Sequence, residues 1–305
     1  MSNIALVSCI DTHAHLDGEE YAEDRREMIE RARAAGVSKV FLPAIDLPSV
    51  DRVVAMSREF YDYCYPMIGL HPEEVRADYK EVLAQIYEKL SSSFSPTSHP
   101  SARLRQETLS KQSEERTLIA PCSPFIAIGE VGLDFYWSRE FAEEQLEAFE
   151  EQVRWSVETR LPLMIHCRKA QNEMVNILKK YAKELPGGVF HCFTGNNYEA
   201  EELLRFDGFV LGIGGVLTFK KSHLPEVLRE VPLSRIVLET DSPYMAPVPM
   251  RGKRNESAYV VHVLKKLAES LGVSEEEVAR QTNENVHRVF GICKLKNDYG
   301  IKKYP

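Results

Sequence analysis

Six residues able to ligate a divalent metal stand at the ends of short apolar runs: His13, His15, Glu130, His166, His191 and Asp241. His13 and His15 are two apart. Side chains two apart in an extended segment point the same way, so both imidazoles can reach one ion. Glu130 closes the run Ile126-Ala127-Ile128-Gly129. A carboxylate placed there is costly unless it is partnered. A pair of metal ions, bridged by the two carboxylate oxygens, is one such partner; a salt bridge to a cation such as Arg168 is the other. His166 follows Leu163-Met164-Ile165, and His191 follows Val189-Phe190. Each precedes a cysteine, Cys167 or Cys192. Thiolates suit zinc, but alternation that aims the histidines at a site turns the cysteines toward the covering helices, so both cysteines read as core. Glu239 and Asp241 share a face by the same spacing. Asp241, nearer the strand end, is the expected catalytic carboxylate, with Glu239 a buried partner behind it. His71, in Gly69-Leu70-His71-Pro72, reads either as a substrate contact or as a helix-start histidine. His99 reads as solvated, and His223, His262 and His287 as surface or core residues.

These residues need elements that bring them together. Eight short apolar runs alternate with helical patterns: 4–9, 38–45, 65–70, 125–129, 162–165, 188–190, 209–213 and 236–239. A helix is expected after the first, ending near Gly36, and another opening at Pro48-Ser49, with proline in its first turn. Further helices are expected through Val75, Leu83, Ile86 and Leu90, over 139–160, and over 257–271 and 274–290. Ser274 with Glu277 three residues on has the form of a capping box. Residues 91–124 are rich in Ser, Pro, Thr and charge without sustained period, and read as a surface insertion between strands three and four, with room for a short helix over 104–115. No GxGxxG follows the first run, which counts against a dinucleotide-binding sheet. Eight alternating strands and helices predict an α/β chain folded as one (β/α)8 TIM barrel over residues 1–305. In that fold the C-terminal strand ends share one rim, where active sites lie. The segment 246–255 follows strand eight directly and so lies over the rim. Its Arg251, with Lys253 and Arg254, suits a phosphate-bearing substrate; a basic loop paired to surface acids is the alternative.

Bulk composition narrows the classes further. Hydrophobic residues make up 44% and charged residues 28%, which are globular proportions. No apolar run is long enough to span a membrane, and the first residues lack the basic and apolar regions of a secretory signal. The six cysteines, Cys9, Cys64, Cys122, Cys167, Cys192 and Cys293, contain no CxxC pair. A reduced, intracellular setting, cytoplasmic or nuclear, is expected. The net charge of -8 argues against broad binding to duplex phosphate. It leaves open a small site for a strand end, where metal ions supply the local positive charge.

Several of these segments together resemble the TatD-type metal-dependent deoxyribonucleases. They are Asp11-Thr12-His13-Ala14-His15-Leu16-Asp17, Gly69-Leu70-His71-Pro72, Gly129-Glu130-Val131-Gly132-Leu133-Asp134-Phe135-Tyr136, His191-Cys192-Phe193-Thr194-Gly195, Glu239-Thr240-Asp241-Ser242-Pro243-Tyr244 and Arg251-Gly252-Lys253-Arg254-Asn255-Glu256. The resemblance covers nearly the whole chain, in order. It implies a TIM barrel of the amidohydrolase superfamily with a two-metal site, helped by added magnesium or manganese. Zinc, manganese or iron suit the ligand types, so zinc, magnesium or manganese are the expected ions, and no organic cofactor is expected. The resemblance implies that His13, His15 and Asp241 hold one ion, that His166 and His191 hold the other, and that Glu130 bridges them. It further implies hydrolysis of DNA phosphodiesters from an end, single strands being the expected partner. Asp241, with Glu130, is expected to be catalytic, orienting a metal-activated water and taking its proton, while His71 and Arg251 hold the phosphate. Two features depart from the family: the long insertion at 91–124, and Ser257 where proline is common. An amide, ester or acyl-tRNA hydrolase on the same metals is the alternative, since one fold hosts many chemistries. An inactive scaffold is disfavoured by the complete ligand set.

Overall fold

The computed structural model describes residues 7–94 and 123–292. Eight parallel strands are present: β1 (Cys9–Asp11), β2 (Val37–Leu42), β3 (Cys64–Pro66), β4 (Ile128–Asp134), β5 (Leu163–Arg168), β6 (Gly188–Phe190), β7 (Phe209–Ile213) and β8 (Ile236–Leu238). The main helices are α1 (Arg25–Ala34), α2 (Leu47–Glu59), α3 (Tyr79–Ser92), α4 (Ala142–Thr159), α5 (Gln171–Tyr181), α6 (Asn197–Leu204), α7 (Leu224–Val227), α8 (Val260–Leu271) and α9 (Glu275–Phe290). Continuous ladders join β1-β2-β3 and β4-β5-β6-β7-β8. Two seams close the ring. At one, Ile126 N donates to Pro66 O, Ile68 N to Ala127 O and Gly129 N to Ile68 O. At the other, Thr12 N donates to Leu238 O, Asp241 N to His13 O and His15 N to Ser242 O.

The interior confirms the barrel. Ile10, Phe41, Tyr65, Met164, Val189, Val210 and Val237, one from each of seven strands, pack together with Ile126 and Met67. Val286, Val289 and Phe290 of α9 join this cluster and plug it from below. The neighbours of these residues along each strand, such as Ile165, Phe190, Leu211 and Leu238, face outward into the larger core beneath the helices. Strands buried on both faces read as apolar runs, which is why most are visible in the sequence.

The boundaries differ in instructive places. The sequence places the fourth strand over 125–129, but the ladder runs from Ile128 through Glu130 to Asp134. Its register to β5 is irregular between Ile128 and Val131. Such a local irregularity re-aims a side chain, and Glu130 stands within it. Gly132 fits because backbone presses on backbone: a Cβ there would lie 1.8 Å from His166 O. α2 begins with a true reciprocal cap, Asp46 with Ser49. The expected box at Ser274 is only half made. Ser274 accepts from Glu277 N, while the Glu277 carboxylate turns to Arg280. Within the expected insertion, Ser91 and Ser92 belong to α3. Its helix over 104–115, together with His99, Cys122 and Cys293, lies outside the described residues. No helix among the described residues is long and apolar enough to cross a membrane.

Candidate active site

All six expected metal-ligating residues meet at one rim. Glu130, 2% exposed, stands at the centre, and its two oxygens face different partners. Oε2 is 3.1 Å from His13 Nε2 and 3.4 Å from His15 Nε2. Asp241 Oδ1 completes that group, 3.9 Å from His13 Nε2 and 3.7 Å from His15 Nε2. Oε1 faces His191 Nε2 at 3.0 Å, His166 Nδ1 at 3.1 Å and His71 Nε2 at 3.3 Å. The carboxylate thus divides the histidines into two sets.

Hydrogen bonding at the far side of the ring fixes the orientation of His166 and of His71. Asp134 Oδ2 lies 3.0 Å from His166 Nε2. A carboxylate only accepts, so Nε2 donates to Asp134 and Nδ1, 3.1 Å from Glu130 Oε1, donates as well; a cation bound beside Glu130 would take the place of the Nδ1 proton and leave Asp134 holding the one on Nε2. Glu239 Oε1 lies 3.5 Å from His191 Nδ1 as a charged neighbour, and His191 Nε2 faces Glu130 Oε1 at 3.0 Å, so the ring stands between two carboxylates. A carboxylate behind an imidazole is the support that metal-bound histidines commonly have. Imidazole nitrogens crowded around one carboxylate oxygen need a proton or a cation among them. His13 Nε2 and His15 Nε2, only 3.2 Å apart, pose the same problem. The donor set therefore fits divalent ions by its chemistry as well as its proximity. His71 is different. Its Nδ1 accepts from Glu73 N at 3.1 Å and caps the short turn Pro72–Glu74, so Nε2 bears the proton. His71 is thereby a donor toward Glu130 or a substrate oxygen.

Burial and charge act in opposition here. Burial alone would raise the Glu130 pKa, but His13, His71 and His191 hold it well below the usual carboxylate range. Burial disfavours a charged His191, yet Glu130 and Glu239 raise it well above ordinary histidine. Burial lowers His13 and His71. Asp241, against the pull of His191 and His15, is pushed up to about 6 by burial.

The strand ends explain the placement. In β5, Met164 and His166 face inward while Ile165 and Cys167 face the helices, so the expectation for Cys167 holds. Cys192 departs from it. β6 ends at Phe190, Cys192 takes the left-handed backbone (φ 49°), and its N–H bonds Glu239 Oε1 at 2.6 Å. Burial raises its thiol to about 12, and it lies outside the apolar core. Glu239 is fully buried, as expected, in space left by Gly212, where a Cβ would fall 2.2 Å from its carboxylate. Asp241 also has left-handed backbone (φ 56°), a conformation aspartate tolerates better than most residues. Arg168 is not the partner of Glu130. Its guanidinium lies over Tyr136 at 3.7 Å.

The loop after β8 splits the expected basic trio. Arg254 is anchored, bonding Glu20 O and Asp24 Oδ2 over the Tyr21 ring. Its role in the structure is to hold the loop. Arg251 lies 3.9 Å from the Phe219 ring and, like Lys253, is exposed with no acidic partner among the described residues. Sequence reasoning placed Asp134 within a motif but gave it no role, although it alternates with Glu130 and Gly132. Asp11 and Asn255 likewise stood in motifs without a role. Asp11 accepts from Thr240 N and Oγ1, at 2.9 and 2.7 Å. Asn255 Nδ2 donates to Thr240 O and Tyr244 O, at 2.8 and 2.6 Å.

A closed parallel barrel with such a rim belongs with the metal-dependent hydrolases. More narrowly, the chain belongs to the family described as TatD related DNase, which matches residues 10–291. It is 37% identical over 283 residues to the uncharacterized metal-dependent hydrolase YabD of Bacillus subtilis, covering 92% of this chain and 98% of that protein. It is 30% identical over 289 residues to the 3'-5' ssDNA/RNA exonuclease TatD of Pectobacterium carotovorum, covering 93% and 99%. The crystal structure of the TatD homologue YjjV from Escherichia coli superposes with a TM-score of 0.77 at 27% identity, covering 94% of this chain and 100% of that one.

Proposed function

We propose that this chain is a metal-dependent deoxyribonuclease that shortens single strands from an end. His13, His15 and Asp241 hold one divalent ion, His166 and His191 hold a second, and Glu130 serves both. The observation that carries this reading is the division of five histidines between the two oxygens of one buried glutamate. The family and the exonuclease among its relatives support a nucleic acid phosphodiester as substrate.

When bound, the ions lower the pKa of water and offset charge on phosphoryl oxygens. The chain's own residues supply the rest. Asp241, at the end of β8, orients the attacking water and takes its proton. Asp134 holds the His166 ring by a hydrogen bond, and Glu239 stands behind the His191 ring as a buried anionic partner. His71 Nε2–H and Arg251 hold the phosphate, the first as a fixed donor and the second as an exposed cation on the rim loop. Histidine and carboxylate donors suit zinc or manganese, with magnesium the third candidate. The free thiols at Cys9, Cys64, Cys167 and Cys192 suit an intracellular setting.

Metal analysis should find two ions per chain, and phosphodiester hydrolysis should vanish on chelation and return on resupply. Undiminished hydrolysis by metal-free protein would contradict the proposal. Hydrolysis of esters or acyl-tRNA alone, by loaded protein, would favour the alternative substrate class.

A further inference from the structure

We infer that Tyr136, Trp137 and Arg168 form a stacking platform for an unpaired nucleobase next to the phosphate at the metal centre. The inference rests on the nuclease reading above and specifies how that site takes its substrate.

Large aromatic side chains are normally covered, and here two neighbours are not. Tyr136 is 49% exposed and Trp137 67%. Their rings meet edge to face, 4.8 Å apart. The Arg168 guanidinium lies 3.7 Å from the Tyr136 ring centre and 5.2 Å from that of Trp137. Arg168 is exposed and pairs with no acid among the described residues. The group is fixed to the catalytic rim at two points. Tyr136 N donates to Asp134 Oδ1 at 2.8 Å, while Asp134 Oδ2 holds His166. Arg168 is two residues beyond His166 on β5, and so on its side of the strand.

Arrangement and chemistry point to one occupant. Bases of a single strand stack on exposed aromatic rings, and an arginine beside them adds cation–π attraction and a phosphate contact. A base locked in a duplex offers no free face, so the platform favours unpaired strands. It also gives an acidic chain a grip on nucleic acid that does not need a basic stripe.

The chain has two tryptophans, Trp137 and Trp155, and Trp155 is 2% exposed. Quenching of tryptophan fluorescence by a ligand at the rim therefore reports Trp137. The probes are a single-stranded oligodeoxyadenylate with cleavage-resistant phosphorothioate links, the same strand with abasic sugars at its ends, and a blunt duplex. The metal-loaded protein should be quenched by the first far more than by the other two, and the signal should be lost in Trp137→Phe. With cleavable strands, Trp137→Ala should raise KM by roughly five- to a hundredfold, Trp137→Phe should recover most of it, and the effect should collapse on the abasic strand. Equal quenching by intact and abasic strands, or an equal KM effect on both, would overturn the platform. Cleavage without quenching would remove the platform and leave the nuclease reading standing. Quenching by base-bearing strands without cleavage under any metal would do the reverse.

Discussion

Glu130 has a heavier task than any other side chain in the chain. It is buried, remains ionised, and faces histidines with both oxygens. Glu130→Gln keeps the shape and removes the charge. Removing one member of a buried charged network leaves the others uncompensated. The substitution should therefore cost the protein most of its second ion, which calorimetric titration of chelated protein with zinc will measure. Two-ion binding as tight as wild type would argue against bridging. The ligand-type residues are legible because their chemical types recur at strand ends. Asp134, Asp11 and Asn255 are not, because a lone polar residue near a strand end looks the same whether it supports a histidine, laces two strands or meets water. His71 is ambiguous in sequence; in the structure its Nδ1 caps a turn, as the helix-start reading expects, while its Nε2 faces Glu130.

At the scale of elements, the seam between β1 and β8 sets the geometry of His13, His15 and Asp241. Backbone bonds lace the two strand ends, and buried side chains from Asp11 and Asn255 tie the following loop to them. Asn255→Ala strands the buried carbonyl of Thr240 and removes the partner of the half-exposed one of Tyr244. At about 1–3 kcal/mol for a buried unsatisfied group, the loss should be about 2 kcal/mol. Urea denaturation will measure it, and an unchanged midpoint would show that the loop holds itself. The outer side of the same loop is held by Asp24, which Arg254 and then Arg31 keep down at about 2. A depressed carboxylate contributes stability that is complete above its unfolded value of about 3.9 and is lost as pH falls through its folded value. The stability difference between wild type and Asp24→Asn should therefore be constant above about pH 5 and shrink toward pH 2; a constant gap across that range would count against the pairing. The strands are legible from their apolar runs, but the fourth is misplaced. Its ladder continues past Glu130 because Val131 and Leu133 still pack outward while the irregularity at 129–130 resets the alternation.

For the molecule as a whole, fold class follows from the alternation alone, whereas closure depends on two short seams that no periodicity announces. The net charge of -8 shapes how such a molecule meets a polyanion. If Arg168, Arg251 and Lys253 supply the cationic contacts of the rim, the logarithm of affinity for a single strand should fall with log salt at a slope of about −2. A slope several times steeper would reveal a basic track elsewhere. The nuclease assignment itself stands or falls on single-stranded DNA labelled at either the 3′ or the 5′ end. Chelated protein, resupplied with zinc, magnesium or manganese, should release nucleotides from one end only. Asp241→Asn should lower that rate by about 10²–10⁴-fold while remaining folded. Release by Asp241→Asn at the wild-type rate, or none from either end by folded, metal-loaded wild type, would contradict the assignment.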